Sequence, residues 1–136
     1  MTQPMTQPIV HVANHATIPV CIAHDPNWDD QVLAFGGRAS SQTRCLAPGA
    51  DTTVGVRTDV QTATDATRDE NLIGVIFADS KDFESGKSGG YQSTIGHHAE
   101  TGLLGVTDEH IFGSPSTRYA VTDQTQWSMS MTFVDA

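Results

Sequence analysis

The sequence predicts an all-β protein, a single-domain antiparallel β-sandwich with at most one or two short helical turns. Three observations predict this fold class. The C-terminal segment alternates strictly between large apolar and small polar residues, short apolar runs recur along the chain, and turn residues separate these runs. Many short strands at such spacing are typical of a sandwich or barrel.

The C-terminal segment is the clearest predicted strand. Trp127, Met129, Met131 and Phe133 alternate with glutamine, serine and threonine. Because successive side chains of a strand point to opposite faces, we expect these four apolar side chains to face the core. Burial on one face only is typical of antiparallel sheets.

Nine strands are predicted in total. They are Ile9–Ala13, Ile18–Ala23, Gln42–Leu46, Thr52–Thr58, Leu72–Ala78, Tyr91–Ile95, Leu103–Thr107, Tyr119–Thr122 and Gln126–Val134. Two other stretches allow more than one secondary structure. Residues 25–37 have an aspartate cap, an early proline and terminal glycines, which favour a short helix as well as a strand. Residues 60–71 are polar and fit a helical turn or a long loop.

Length and charge set limits on function. The 136 residues fit one domain, which we place at residues 9–136 after a flexible N-terminal segment at residues 1–8. Sixteen acidic and seven basic residues give a formal charge of −9, which would repel phosphate backbones, so no nucleic-acid partner is expected. No transmembrane segment or classical secretion signal is recognisable, which favours a cytoplasmic or leaderless secreted protein. Cys21 and Cys45 are expected to be reduced thiols packed in the core.

No motif points to catalysis or to a cofactor, so neither an enzyme nor a bound cofactor is expected. One group carries metal-type ligands, namely His97, His98, Glu100 and His110. Adjacent residues of a strand face opposite ways, and the spacing matches no metal-binding template. We therefore expect no metal, and these four residues are the candidates for a transition-metal site.

Aromatic residues near turns are the better functional clue. Trp28 is surrounded by polar residues, including Asp29 and Asp30, and Phe83 and Tyr91 lie at predicted loop–strand junctions. An aromatic ring offers a flat apolar face that suits a sugar or a lipid headgroup, and the two carboxylates would orient polar groups of the ligand. These five residues form the predicted ligand-binding site.

The order of several segments resembles the aegerolysin family of small acidic β-sandwich proteins. The resemblance rests on Ile9–Asn14, Pro19–Ile22, the loop with Trp28, Leu46–Asp51 and Val54–Asp59. It covers about the first half of the chain, and this chain departs from the family in having only two tryptophans. The resemblance implies recognition of membrane lipids, in a toxin-like system with a larger pore-forming partner protein, and no catalysis.

The function that the sequence favours is therefore a non-catalytic binding protein for lipid or glycan headgroups. Two alternatives remain. One is a structural assembly protein such as a capsid, cement or inclusion-body subunit, since the chain is compact, acidic and without catalytic motifs. The other is a metal-dependent enzyme that uses the histidine cluster.

Overall fold

The computed structural model describes residues 8–28, 32–56, 72–82 and 88–136, and these form eleven strands in two packed sheets. The strands are β1 (Ile9–Asn14), β2 (Val20–His24), β3 (Leu33–Phe35), β4 (Arg38–Ala39), β5 (Arg44–Leu46), β6 (Asp51–Val56), β7 (Ile73–Ala78), β8 (Gly90–His97), β9 (Leu104–Phe112), β10 (Thr117–Thr122) and β11 (Ser128–Asp135). The predicted all-β sandwich is confirmed.

The two sheets have different sizes and strand orders. The six-stranded sheet has the order β10-β11-β1-β6-β3-β4, and the five-stranded sheet has the order β5-β2-β7-β8-β9. Strand pairs are antiparallel except β1 and β11, which run parallel. No helix in the described part of the chain is long and apolar enough to cross a membrane.

One core lies between the sheets. In the six-stranded sheet Met129, Met131 and Phe133 are fully buried, as their alternation predicts, while Trp127 precedes the strand and is only half-buried. Phe133 meets Phe77 of the five-stranded sheet, with 5.1 Å between the ring centroids. The same buried cluster takes residues from both sheets, so the sandwich is held by a shared core.

All nine predicted strands are present, with ends that differ by a few residues. Strand β3 and the turn of the β3–β4 hairpin lie in residues 25–37, the stretch left open between helix and strand. Its turn is formed by Gly36 and Gly37, whose φ values of 59° and 82° suit glycine and produce a tight reversal. Residues 57–71, which include the other ambiguous stretch, and residues 1–7 lie outside the described residues, and Pro8 is buried.

The two cysteines correct one expectation. Cys21 in β2 lies directly opposite Cys45 in β5, and their sulfurs form a disulfide. Cys21 is buried, whereas Cys45 is exposed on the edge strand. The expectation of two reduced thiols packed in the core is therefore wrong, because register places the pair face to face at the edge of the five-stranded sheet.

Candidate ligand-binding surface

Trp28 lies flat on the outer face of the five-stranded sheet. A Cβ atom built on Gly74 of β7 would lie 2.5 Å from Cδ1, 2.6 Å from Cγ and 2.6 Å from Nε1 of the indole. Near-equal distances to three atoms of the five-membered ring place Gly74 beneath the face of the ring, because an approach to its edge would leave two of them clearly farther away. The opposite face of this half-buried ring points away from the sheet.

A turn over residues 25–28 holds the tryptophan in this position. The Trp28 amide donates to the carbonyl of Asp25 at 2.9 Å, and the Asn27 amide donates to Asp25 Oδ1 at 2.9 Å. An aspartate that accepts from the backbone two residues later is a common way to fix a turn. The Trp28 carbonyl also lies 2.5 Å from Nε2 of His24. The indole is therefore placed by its own turn as well as by the glycine beneath it.

Asp25 ties this turn to the sheet. Its carboxylate is 3% exposed and accepts from Nε2 of Gln92 at 3.2 Å and 3.0 Å. Gln92 lies in β8 and pairs with Ile76, two residues along β7 from Gly74. With Nε2 engaged in this way, Oε1 of Gln92 has no hydrogen bond to any described residue and is available as an acceptor.

Other polar side chains share this outer face. Thr94 lies directly across from Gly74, and Asp108 in β9 lies directly across from Thr94. Directly opposed side chains of an antiparallel pair have Cβ atoms about 5 Å apart. The outer face beside the indole therefore carries an amide oxygen and a hydroxyl on the neighbouring strand, and a carboxylate two strands away from Gly74. We call Trp28, Gly74, Gln92, Thr94 and Asp108 the Trp28 surface.

The structure separates Tyr91 from Trp28. Tyr91 is 9% exposed, faces the core, and donates its hydroxyl to the Thr117 carbonyl at 2.6 Å. Burial, with the charges of Glu109 and Asp79, raises the pKa of Tyr91 and keeps it a donor. Tyr91 lies near the start of β8, as predicted, but its buried ring corrects the prediction that it belongs to a ligand-binding site with Trp28.

The remaining predicted ligand-binding residues, Asp29, Asp30 and Phe83, lie outside the described residues. Of the five predicted positions, Trp28 is therefore the one that the structure places on an outer face.

The candidate metal ligands do not converge. His97 approaches the Gln126 carbonyl at 2.5 Å and packs edge-on against Trp127, whereas His98 packs against Gly105. His110 lies across from Gln92 on the outer face of the sheet, and Glu100 lies in an exposed turn. No group of three or more metal-type side chains occurs among the residues that the structure describes.

The outer face of the six-stranded sheet carries a different surface. A groove of about 590 Å³ crosses it, lined by Thr122, Ser130, His11 and Thr53, which are successive cross-strand neighbours. These side chains are small apart from the imidazole, and none is an aromatic platform like Trp28. The face offers hydrogen-bonding groups without a flat apolar wall.

No protein-family model matches the chain, and no characterised protein matches it significantly.

Sequence reasoning identified Trp28 but missed the residues around it. Gly74 lies within a continuous apolar run, and Gln92 and Thr94 belong to a predicted strand. A glycine inside a strand is a recognised signal of close approach by another group, and Gly74 carries that signal. No pattern along the chain connects it to Trp28, because the connection is made by sheet register.

Proposed function

We propose that the protein is a non-catalytic binding protein that recognises neutral glycans through the Trp28 surface. The observation that carries the proposal is the flat placement of the Trp28 indole over Gly74, with its other face directed away from the sheet. A sugar ring has apolar C–H faces that suit an aromatic platform and hydroxyl groups at its rim that need hydrogen-bond partners.

The groups around the indole supply those partners. Oε1 of Gln92 and the carboxylate of Asp108 accept, and the hydroxyl of Thr94 can donate or accept. Because the turn and the glycine fix the indole before binding, little conformational freedom would be lost when a ligand stacks on it.

Charge favours a neutral ligand. The formal net charge of −9, the carboxylate of Asp25 in the turn that holds the indole, and the carboxylate of Asp108 two strands from Gly74 would repel acidic glycans and anionic lipid surfaces. The disulfide between Cys21 and Cys45 supports a place of action in an oxidising compartment or outside the cell, where such bonds persist.

The test is binding of neutral oligosaccharides, first on a glycan array and then by titration calorimetry with the tightest one. Replacing Trp28 with alanine should weaken that binding at least about tenfold, or ~1.4 kcal/mol. Gly74→Ala retains the indole but its added methyl would displace the ring, so it should weaken binding to a similar degree. Trp127→Ala is the matched control, since Trp127 packs against His97 elsewhere, and it should bind normally.

The proposal is wrong if no neutral oligosaccharide binds, or if Trp28→Ala binds as tightly as the parent while remaining folded by circular dichroism. Binding to phosphatidylcholine vesicles that is lost in Trp28→Ala, without glycan binding, would instead establish a lipid headgroup as the ligand, as the resemblance to aegerolysins implies.

One observation favours a second candidate, a subunit of a larger assembly. Strand β9 is nine residues long, ends its sheet, and exposes Ile111 at 52%. A long edge strand is a template for pairing with another chain. Size-exclusion chromatography with light scattering would separate a monomeric binder from a closed oligomer.

A further inference from the structure

A second concave feature lies where the sandwich opens between its two sheets. Strand β9 ends the five-stranded sheet and β10 ends the six-stranded sheet. Between them is a cleft of about 460 Å³, which we call the edge cleft. Its lining includes Val106 and Glu109 from β9 and Tyr119 and Val121 from β10.

Glu109 bridges the two sheets across this cleft. The hydroxyl of Tyr119 donates to Oε2 of Glu109, so one carboxylate oxygen is engaged. The other oxygen has no hydrogen bond to any described residue, and Glu109 is exposed. Burial, followed by this hydrogen bond and the Glu109 charge, raises the pKa of Tyr119, so its hydroxyl remains a donor at any physiological pH.

The ring of Tyr119 is a fixed aromatic wall. It meets Tyr91 edge-on at 5.1 Å and Phe133 in a tilted arrangement at 5.5 Å, measured between ring centroids. Both partners are buried core residues, so the tyrosine cannot swing away without disturbing the core. Val106 and Val121 are half-buried and pack against the core cluster, which makes the adjoining walls apolar.

This combination selects for one kind of ligand. A carboxylate with a spare oxygen attracts a positive charge, an aromatic ring stabilises a cation near its face, and apolar walls favour alkyl groups around that charge. The lining contains no lysine or arginine to neutralise Glu109. A metal ion is a poor match, because no group of three metal-type side chains occurs among the described residues.

We propose that the edge cleft binds a small organic ammonium group, held between the Glu109 carboxylate and the Tyr119 ring. Asp108 lines the edge cleft as well as belonging to the Trp28 surface, but Trp28 and Gly74 do not line the cleft, and the proposal does not depend on glycan binding. Such a group occurs in free alkylamines and choline and in the headgroup of phosphatidylcholine.

The experiment uses choline and its uncharged isostere 3,3-dimethyl-1-butanol, titrated into the full chain and followed by ¹H–¹⁵N NMR. Choline should shift amides of β9 and β10 in a saturable manner, and the isostere should bind at least about tenfold more weakly. Glu109→Gln keeps the shape of the side chain and can still accept from Tyr119, but it loses the charge. It should lower choline affinity at least about tenfold.

Asp51→Asn is the matched control. It removes the same charge from the exposed edge of the groove on the six-stranded sheet, so it tests whether net charge alone attracts choline. It should bind choline as the parent does. Trp28→Ala should also bind choline normally, which separates this proposal from the glycan proposal.

Vesicles of phosphatidylcholine distinguish the source of the ammonium group. Binding of choline together with binding of vesicles, both lost in Glu109→Gln, identifies a lipid headgroup, and binding of choline alone identifies a free amine. The proposal is overturned if choline shifts no amide of β9 or β10, if the isostere binds equally well, or if folded Glu109→Gln retains full affinity.

Discussion

The two sheets of this sandwich use their outer faces differently. Strands β1 and β11 in the six-stranded sheet alternate between buried and accessible residues, so their outer face meets solvent. Strand β7 at the centre of the five-stranded sheet is buried at all six positions, Ile73–Ala78. The outer face of the five-stranded sheet is therefore covered at its centre, and the outer face of the six-stranded sheet is not.

Two aromatic side chains provide part of that cover. Trp28 lies over Gly74, and the ring of Phe112 lies over Gly90, where a built Cβ would approach its Cζ at 2.6 Å. Phe112 also packs against a small outer cluster of Ala23, Ile76 and Ala78. In both places a glycine in the sheet, which has no side chain, allows an aromatic ring to pack directly against the backbone. Trp28 from a loop and Phe112 from the end of β9 thus cover the outer face of the five-stranded sheet in part.

The largest expected effect tests the one-sided pattern of the six-stranded sheet. Phe133 is fully buried and meets Phe77 across the core. Phe133→Ala should therefore lower the free energy of unfolding by ~3–5 kcal/mol, measured by urea denaturation. The neighbouring residue Thr132, on the outer face, serves as the control. Thr132→Ala should change the free energy of unfolding by less than ~0.5 kcal/mol. Equal effects at both positions would contradict the assignment of the two faces.

The next effect concerns the edge of the five-stranded sheet. The disulfide joins residues 24 apart, and closing a loop of that length is expected to contribute ~3–4 kcal/mol by restricting the unfolded chain. The double variant Cys21→Ala, Cys45→Ala should lose about that much stability in urea. Adding a reductant should lower the stability of the parent but not that of the double variant. Detection of two free thiols per chain in the unreduced, unfolded parent would show that the bond does not form in solution.

Much of this fold could be predicted from the sequence, because alternation and turn residues act locally. The pattern at Met129, Met131 and Phe133 fixed which face is buried, and the run Ile73–Ala78 has the continuous apolar character of a strand covered on both faces. Two parts could not be predicted. The strands of the β3–β4 hairpin are too short to leave an alternating pattern. The last residues of β9, up to Phe112, include several polar residues, which suit an edge strand but give no apolar run.

The candidate sites were less predictable, since each depends on register between distant segments. Trp28 was recognised by its polar neighbours, but nothing local shows that it rests on Gly74, 46 residues later. The pairing of Glu109 with Tyr119 joins the edges of two sheets. The disulfide was missed for the same reason, because its formation required β2 and β5 to be neighbours with Cys21 opposite Cys45.

The smallest expected effect lies on the inner face of the five-stranded sheet, at Ser93. Its hydroxyl is buried, with the residue 1% exposed, and it has no hydrogen-bond partner among the described residues. It lies across from Val75 on one side and from Glu109 on the other. A buried hydroxyl without a partner costs roughly 1–3 kcal/mol, and removing it with little change in volume relieves that cost.

Ser93→Ala should therefore raise the free energy of unfolding by ~1 kcal/mol in urea, whereas most core substitutions lower it. The control is Thr117→Ala, also a buried polar residue, but one whose hydroxyl is not a buried group without a partner, and it should bring no such gain. If Ser93→Ala is destabilising, the hydroxyl has a partner in solution, as buried hydroxyls bound to an ordered water do.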